Sequence, residues 1–219
     1  MNVYIISDPH FNHDAEGGVM ETKCMRPKEF SQKIAANWRR TVQPNDLIIV
    51  AGDVFIGSAQ KWNDLYPTLP GRKVLVRGNH DRNRTCSWWI EHGFDFACDG
   101  FMFRHVWITH EPAQSLPEGA TLNIHGHLHN IWDGFYNAER IARDKELLGI
   151  DFTKRLKNDW QRLFAVEYTN YSPVNFDKFI SHSDKYQARG PRKRKESDDN
   201  YIVALLPGGD ALLQNRRVG

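Results

Sequence analysis

Cysteine is scarce: Cys24, Cys86 and Cys98 are the only three among 219 residues, and no two form a Cys-x-x-Cys pair. An odd, scattered set excludes a disulfide framework and fits reduced thiols in a cytoplasmic protein. Long apolar runs are missing as well. No stretch approaches the ~20 residues needed to cross a bilayer, so no membrane association is expected. The chain opens directly on a strand-like run, Val3 to Ile6, where a secretory leader would carry a basic stretch and a longer apolar one. Export is therefore not expected. No internal repeat is found, which leaves no case for a repeat architecture.

Net charge is also small, and its location matters more than its value. Lys185, Arg189, Arg192, Lys193, Arg194 and Lys195 place six positive charges without an acid in one short stretch, which exceeds the net +2 of the whole chain. The remainder is therefore net acidic. Gly190-Pro191 precedes the basic run and Glu196-Ser197-Asp198-Asp199-Asn200 follows it, the pattern of an exposed linker, with a nucleic-acid or phosphate-steering arm as the alternative. Tyr201 to Leu206 is a short apolar run suited to joining a sheet or pairing with another subunit. What is present upstream is the material of a packed globule: 40% apolar residues and seven Trp. The expected organisation is one domain over residues 1–182, followed by a basic linker and strand-like tail over 183–219.

Five polar clusters follow one another along the domain: Asp8-Pro9-His10, Gly52-Asp53, Gly78-Asn79-His80-Asp81, His110, and Gly126-His127-Leu128-His129. A short run rich in Val, Ile or Leu precedes each: Val3 to Ile6, Leu47 to Val50, Val74 to Val76, Val106 to Ile108, and Leu122 to Ile124. Such runs predict buried strands that deliver polar residues at their C-terminal ends. Strands alternating with helical stretches give an α/β layered fold with its site at the carboxyl edge.

These residue types suit a two-metal phosphoesterase site. Two divalent ions roughly 3.5–4 Å apart hold a bridging hydroxide as nucleophile and neutralise the phosphoryl oxygens, so one carboxylate must touch both. Asp53, central in the order and held by a glycine that permits a tight turn, is the natural bridge. Mixed imidazole, carboxylate and amide ligands suit Mn, Fe, Zn or Ni, with Mn favoured, over Ca or Mg. His80 lies on the other side of an extended backbone from Asn79, placed to face a leaving group as general acid.

The five motifs, unsubstituted and in order, resemble the calcineurin-like metallophosphoesterase family over roughly residues 1–180. Ser7-Asp8-Pro9-His10-Phe11-Asn12-His13, Arg26-Pro27, Asn37-Trp38, Leu69-Pro70-Gly71-Arg72 and Tyr171-Ser172-Pro173-Val174 are similar to its small bacterial and phage branch. The resemblance implies an αββα sandwich of two mixed β-sheets flanked by helices, closed by a strand and helix within Val166 to Ile180. It implies that Asp8, His10, Asp53 and His129 hold one metal, and Asp53, Asn79, His110 and His127 the other. It does not extend to the tail.

Other residues carry two readings. His13 reaches a substrate phosphate or decorates a surface loop; Arg77 and Arg104 contact phosphate or serve ordinary surface roles. His125, in strand register with His127, supports the site, and Asp81 or Asp53 orients His80. Phe30, Ile34 and Trp38 form one helical stripe ended by Pro44-Asn45-Asp46; Trp62, Leu65 and Leu69 mark a second helix, closed by Pro70-Gly71; Trp88, Trp89 and Ile90 mark a third. The adjacent tryptophans pack in the core or stack a base. Residues 131–161, with a helical pattern over Asn137 to Leu148, form an insertion placed to act as a lid or substrate wall.

The expected function is metal-dependent hydrolysis of a small phosphodiester or nucleotide, with His80, Asp53 and Asp81 as catalytic residues. A nuclease is the first alternative. A non-catalytic binding scaffold of the same fold, as in the retromer subunit, is the second, disfavoured by intact His80 and metal ligands. Nothing in the sequence fixes the number of subunits.

Overall fold

The strands β1 (Val3–Ile6), β2 (Leu47–Val50) and β3 (Arg72–Val76) are apolar almost throughout because the sheet they form is covered on both faces. The structure, a computed structural model, describes residues 1–130, 160–181, 201–205 and 211–215. With β4 (Phe96–Cys98), these strands pair in parallel, and β9 (Val174–Asn175) adds an antiparallel edge, giving the order β4-β3-β2-β1-β9. The second sheet is β5-β6-β7-β8, built from β5 (Phe101–Phe103), β6 (Val106–Ile108), β7 (Leu122–His125) and β8 (Gln161–Leu163). Its β5 is antiparallel and the rest parallel, so both sheets are mixed. One apolar core joins them, with Ile5, Ile6, Ile49, Val50, Leu75 and Val76 from the first sheet and Val106, Ile108 and Ile124 from the second.

Helices flank this α/β framework. In α2 (Phe30–Thr41) the buried stripe is Phe30, Ile34, Ala35 and Trp38, as the periodicity requires, and the chain turns back at Asp46, whose carboxylate accepts the amide of Gln43. The helix read around Trp62 is α3 (Ala59–Leu65), capped by the Ser58 hydroxyl. It ends four residues sooner than its apolar spacing suggests. Pro67 lacks an N–H, and the chain tightens into a 3-10 turn over Tyr66–Thr68. In α4 (Cys86–Glu91) the Thr85 hydroxyl accepts the Trp88 amide; α5 (Phe176–Ser181) packs on β1 and β9. A short α1 (Val19–Cys24) leads into Arg26.

Register positions the site. Ile6 is level with Val50, Val50 with Leu75, and Ile108 with Ile124, so the loops after these strands leave the sheets side by side. Pairing continues past the strands, with the Asp8 amide donating to Gly52 O and that of His10 to Asp53 O, both at 3.0 Å.

Several expectations fall outside the description or need correction. Residues 131–159 of the insertion, with its helical segment, and the linker 182–200 lie outside the described residues; Gln161, counted within the insertion, opens β8. The tail run pairs within the tail: β10 (Tyr201–Leu205) is antiparallel to β11 (Ala211–Asn215).

The tryptophans are structural. Trp62 is fully buried, with Phe55 stacked on it at 5.5 Å, Phe94 at 5.9 Å and its Nε1 donating to His92 O. Trp89 is buried beside it, while the half-buried Trp88 ring is engaged by His92, stacked at 3.8 Å, and by the Arg84 guanidinium at 4.7 Å. Neither ring is free to stack a base. Trp62→Ala should lower unfolding free energy by about 3–5 kcal/mol in urea titration; a loss below ~1 kcal/mol would mean the cluster is not cooperative with the core.

Candidate metal centre

Gly52 and Gly126 show why two of the motifs need glycine. A Cβ on Gly52 (φ +94°) would sit 2.2 Å from His110 Nδ1. One on Gly126 would sit 1.8 Å from Ser7 Oγ and 2.2 Å from Asp8 Oδ2. The ligand from one sheet thus rests against the bare backbone of the other. The candidate ligands themselves are strained: Asp8, His10, Asp53, His127 and His129 all have φ between 45° and 68°. Left-handed backbone at a non-glycine residue costs on the order of 1–3 kcal/mol and persists only where surroundings enforce it.

Those surroundings are visible. The buried Asp81 carboxylate accepts amides from three positions in two loops: Asp53 at 2.7 Å, Val54 at 2.9 Å and Gly78 at 2.8 Å. Burial, and then the charge of Asp53, push its pKa up to about 7 while the amides of Gly78 and Val54 pull it down. Asp8 is held by the Ser7 hydroxyl and by the amide of His127 at 3.0 Å.

Two groups of ligand atoms result. Asp8, His10 and His129 converge in one, with His129 Nε2 3.7 Å from Asp8 Oδ1; Asp53, His110 and His127 converge in the other. Asp53 Oδ2 lies between the groups, 3.4 Å from His10 Nε2 and 3.3 Å from His110 Nε2. Asn79 Oδ1 completes the second group, 2.9 Å from His127 Nδ1 and 3.1 Å from His110 Nε2. The opposite edge of His110, Nδ1, lies 2.8 Å from the carbonyl of Ala51, an acceptor only. Nδ1 therefore keeps a proton, so in the neutral ring the lone pair is on Nε2, facing the site.

The donor set fits divalent ions. His10 is buried, and neither ring nitrogen has a hydrogen-bond partner, which is costly for an imidazole unless something else satisfies it. Burial holds its pKa well below the usual range against the pull of Asp53, so it is the neutral species that ligates metals. At His110 burial opposes charge, yet Asp53 and Asp8 raise its pKa to about 10. The cavity therefore carries a negative potential that a cation answers, with nitrogen and oxygen donors suited to Mn, Fe, Zn or Ni.

His80 stands at the mouth. Its side chain is 43% exposed, Nε2 is 4.0 Å from Asp53 Oδ2, and its amide donates to Asp53 Oδ1 at 2.9 Å. Its ring meets His10 edge-on at 5.4 Å; the His13 ring lies 5.5 Å from His10. Asp53, rather than Asp81, touches His80. Asp81 faces away toward backbone amides, so its part is to hold the turn. Arg77 and Arg104 are committed to acids, Asp99 at 2.9 Å and Asp177 at 2.6 Å. His125 lies buried at the end of β7, with Nδ1 3.0 Å from Gly126 O. Residues given no role by the motifs also shape the site: Arg26 and Glu167, a buried ion pair against His129, and Asn123, whose amide ties Trp107 O, Thr109 Oγ1 and the Ala113 amide near His110.

The sequence model for calcineurin-like phosphoesterases matches residues 1–213. The chain belongs to that family. The match runs past residue 180, where the motif resemblance stops, into the tail. Metal-dependent hydrolysis of phosphoesters is the family's chemistry. An uncharacterised protein of Methanocaldococcus jannaschii is 29% identical over 197 residues, covering 84% of this chain and 92% of that one. The gene 66 protein of Mycobacterium phage D29 is 32% identical over 84 residues, 37% of this chain and 41% of its own. Among solved structures, a protein of unknown function from Aquifex aeolicus shares the fold, with a TM-score of 0.60 and 24% identity over 83% of this chain and 98% of that one. Among the described residues no helix is long and apolar enough to cross a membrane.

Gly126→Ala tests the packing of ligand on glycine. The new methyl must displace Asp8, so metal affinity at the Asp8, His10 and His129 group should fall by about 10–100-fold, the usual cost of disturbing what holds a ligand. Isothermal titration with Zn(II) checks this; an unchanged first-site affinity would show that the Ser7–Asp8 contact can yield.

Proposed function

We propose that this protein hydrolyses small phosphodiesters or nucleotides, with two divalent ions, Mn foremost, held by Asp8, His10, Asp53 and His129 and by Asp53, Asn79, His110 and His127. The observation that carries the reading is Asp53 Oδ2, set between two ligand groups with the exposed His80 ring 4.0 Å away. Bound there, the ions supply charge neutralisation at the phosphoryl oxygens and a water acidified into a nucleophile. His80, held by Asp53 and edge-on to His10, gives its ring proton to the departing oxygen and regains one from solvent, to which it is open. His13 lies on the same rim, in reach of the substrate's far side.

The charge around the site favours a diester. A monoester dianion calls for a cationic clamp in addition to the metals, commonly bidentate Arg. Among the described residues, three arginines in or beside the ligand loops already hold acids: Arg26 pairs with Glu167, Arg77 with Asp99, and Arg82 with Glu111 through two contacts of 2.7 Å, while Arg84 lies over the Phe55 and Trp88 rings. A diester, with one charge, needs no such clamp. No described surface supports the nuclease reading in preference, since the Trp88 and Trp89 rings are engaged in packing.

Two outcomes check the proposal. Turnover should vanish on chelation and return with Mn(II), and kcat/KM should be higher on bis(p-nitrophenyl) phosphate than on p-nitrophenyl phosphate; full activity in chelated, metal-free protein would sink the mechanism, and a reversed preference the substrate class. His80→Ala should keep both metals by elemental analysis and lose about 10²–10⁴-fold on alkyl or nucleoside leaving groups, but much less on nitrophenyl ones, which depart without a proton. Equal losses on both, with metal missing, would make His80 a ligand instead.

A further inference from the structure

His129 has two neighbours at Nδ1 that ask for opposite protonation. Arg26 Nη2 lies 3.2 Å away and, as a guanidinium, can only donate. Glu167 Oε1 lies 3.3 Å away and, as a carboxylate, can only accept. A neutral imidazole carries one proton. Placed on Nδ1, it leaves Nε2 a lone pair 3.7 Å from Asp8 Oδ1, inside the ligand group; placed on Nε2, it blocks ligation.

The surroundings of this pair are built for the first arrangement. Arg26 is fully buried, with its guanidinium over the Phe30 ring at 4.8 Å. Its Nε donates to Glu167 Oε1 at 2.9 Å, Nη2 to Asp8 O at 2.8 Å and Nη1 to Pro9 O at 3.3 Å. Nη2 is the one guanidinium nitrogen that also faces the imidazole, and it keeps its shorter contact for Asp8 O. Glu167 follows β8 in the 3-10 turn Val166–Thr169; among the described residues its Oε2 is buried with no hydrogen-bond partner, and Arg26 and His129 are the side chains against its Oε1. Burying both charges of an ion pair rarely stabilises a fold compared with an apolar pair of the same size, which makes a role in the site the better reason for its presence.

Resting on the metal-dependent reading above, we propose that Glu167 is a positioning residue that selects the Nδ1–H tautomer of His129 and so makes Nε2 a metal ligand. Arg26 fixes the carboxylate and ties it to the 8–10 loop that carries the other two ligands of the same ion. The closing segment after β8 is thereby part of the site, although it supplies none of the proposed ligands.

The test reads metal binding rather than turnover. Full-length protein labelled with 15N-histidine is stripped with chelator and titrated with Zn(II), following imidazole nitrogen shifts by long-range NMR. Wild type should show His129 protonated at Nδ1 and bound through Nε2. Glu167→Ala should weaken zinc at the Asp8, His10 and His129 group by about 10–100-fold and alter the His129 pattern, while His110 and His127 respond as before. Glu167→Gln, which keeps the shape and a carbonyl acceptor, should fall between the two, and it decides the matter alone should the alanine variant not fold. Unchanged affinity and an unchanged His129 pattern would overturn the proposal. So would equal weakening of both groups together with a lowered melting temperature, which marks packing. Wild-type protein that takes up no zinc would instead bring down the phosphoesterase reading itself.

Discussion

Three backbone amides, of Asp53, Val54 and Gly78, end on one buried carboxylate, that of Asp81, and the site depends on this knot. It draws the loop after β2 and the loop after β3 into one cluster and leaves Asp53 in left-handed backbone, with its side chain directed between the two ligand groups. When Asp81 is ionised each donated amide is a charge-assisted hydrogen bond, stronger than a neutral one, in surroundings where an unpaired amide would be expensive. His80 and Asn79 leave the same turn in different directions, one toward solvent and one toward His110 and His127.

Strain, close packing and charge therefore have one origin. Ligands from two sheets must approach within a few ångströms, so backbones press on side chains, as at Gly52 against His110 and Gly126 against Asp8. The same crowding brings the carboxylates of Asp8 and Asp53 together with four imidazoles in a buried space. Burial neutralises His10, while the acids draw positive charge to His110. A bound cation would resolve this electrostatic conflict, and so the geometry of the candidate ligands, imidazole state and family chemistry point the same way.

Much of the framework was legible in the chain because the ligand-bearing strands are continuous apolar runs that end at polar motifs. Val3–Ile6, Leu47–Val50 and Val106–Ile108 have the bounds that composition predicts. The elements that escaped notice lack such contrast. β5 turns into β6 through Arg104 and His105, both left-handed at φ 50° and 63°, in a hairpin without the Asn-Gly or Asp-Gly pair that announces one. β8 has only Gln161, Arg162 and Leu163, a polar edge strand with no alternation to read.

The sequence by itself determined the family, the α/β order and the set of candidate ligands, because strand hydrophobicity and the chemical demands of metal binding are both local properties of short motifs. Tertiary structure decided how those ligands are held. Asp81, adjacent to His80 in sequence, turned out to serve amides in its own and a neighbouring loop, and Arg77 to pair with Asp99. Glu167 lies 141 residues from Arg26, yet the two meet at His129. Such partnerships depend on where the backbone brings distant groups to hydrogen-bonding range, and no pattern along the chain encodes that distance.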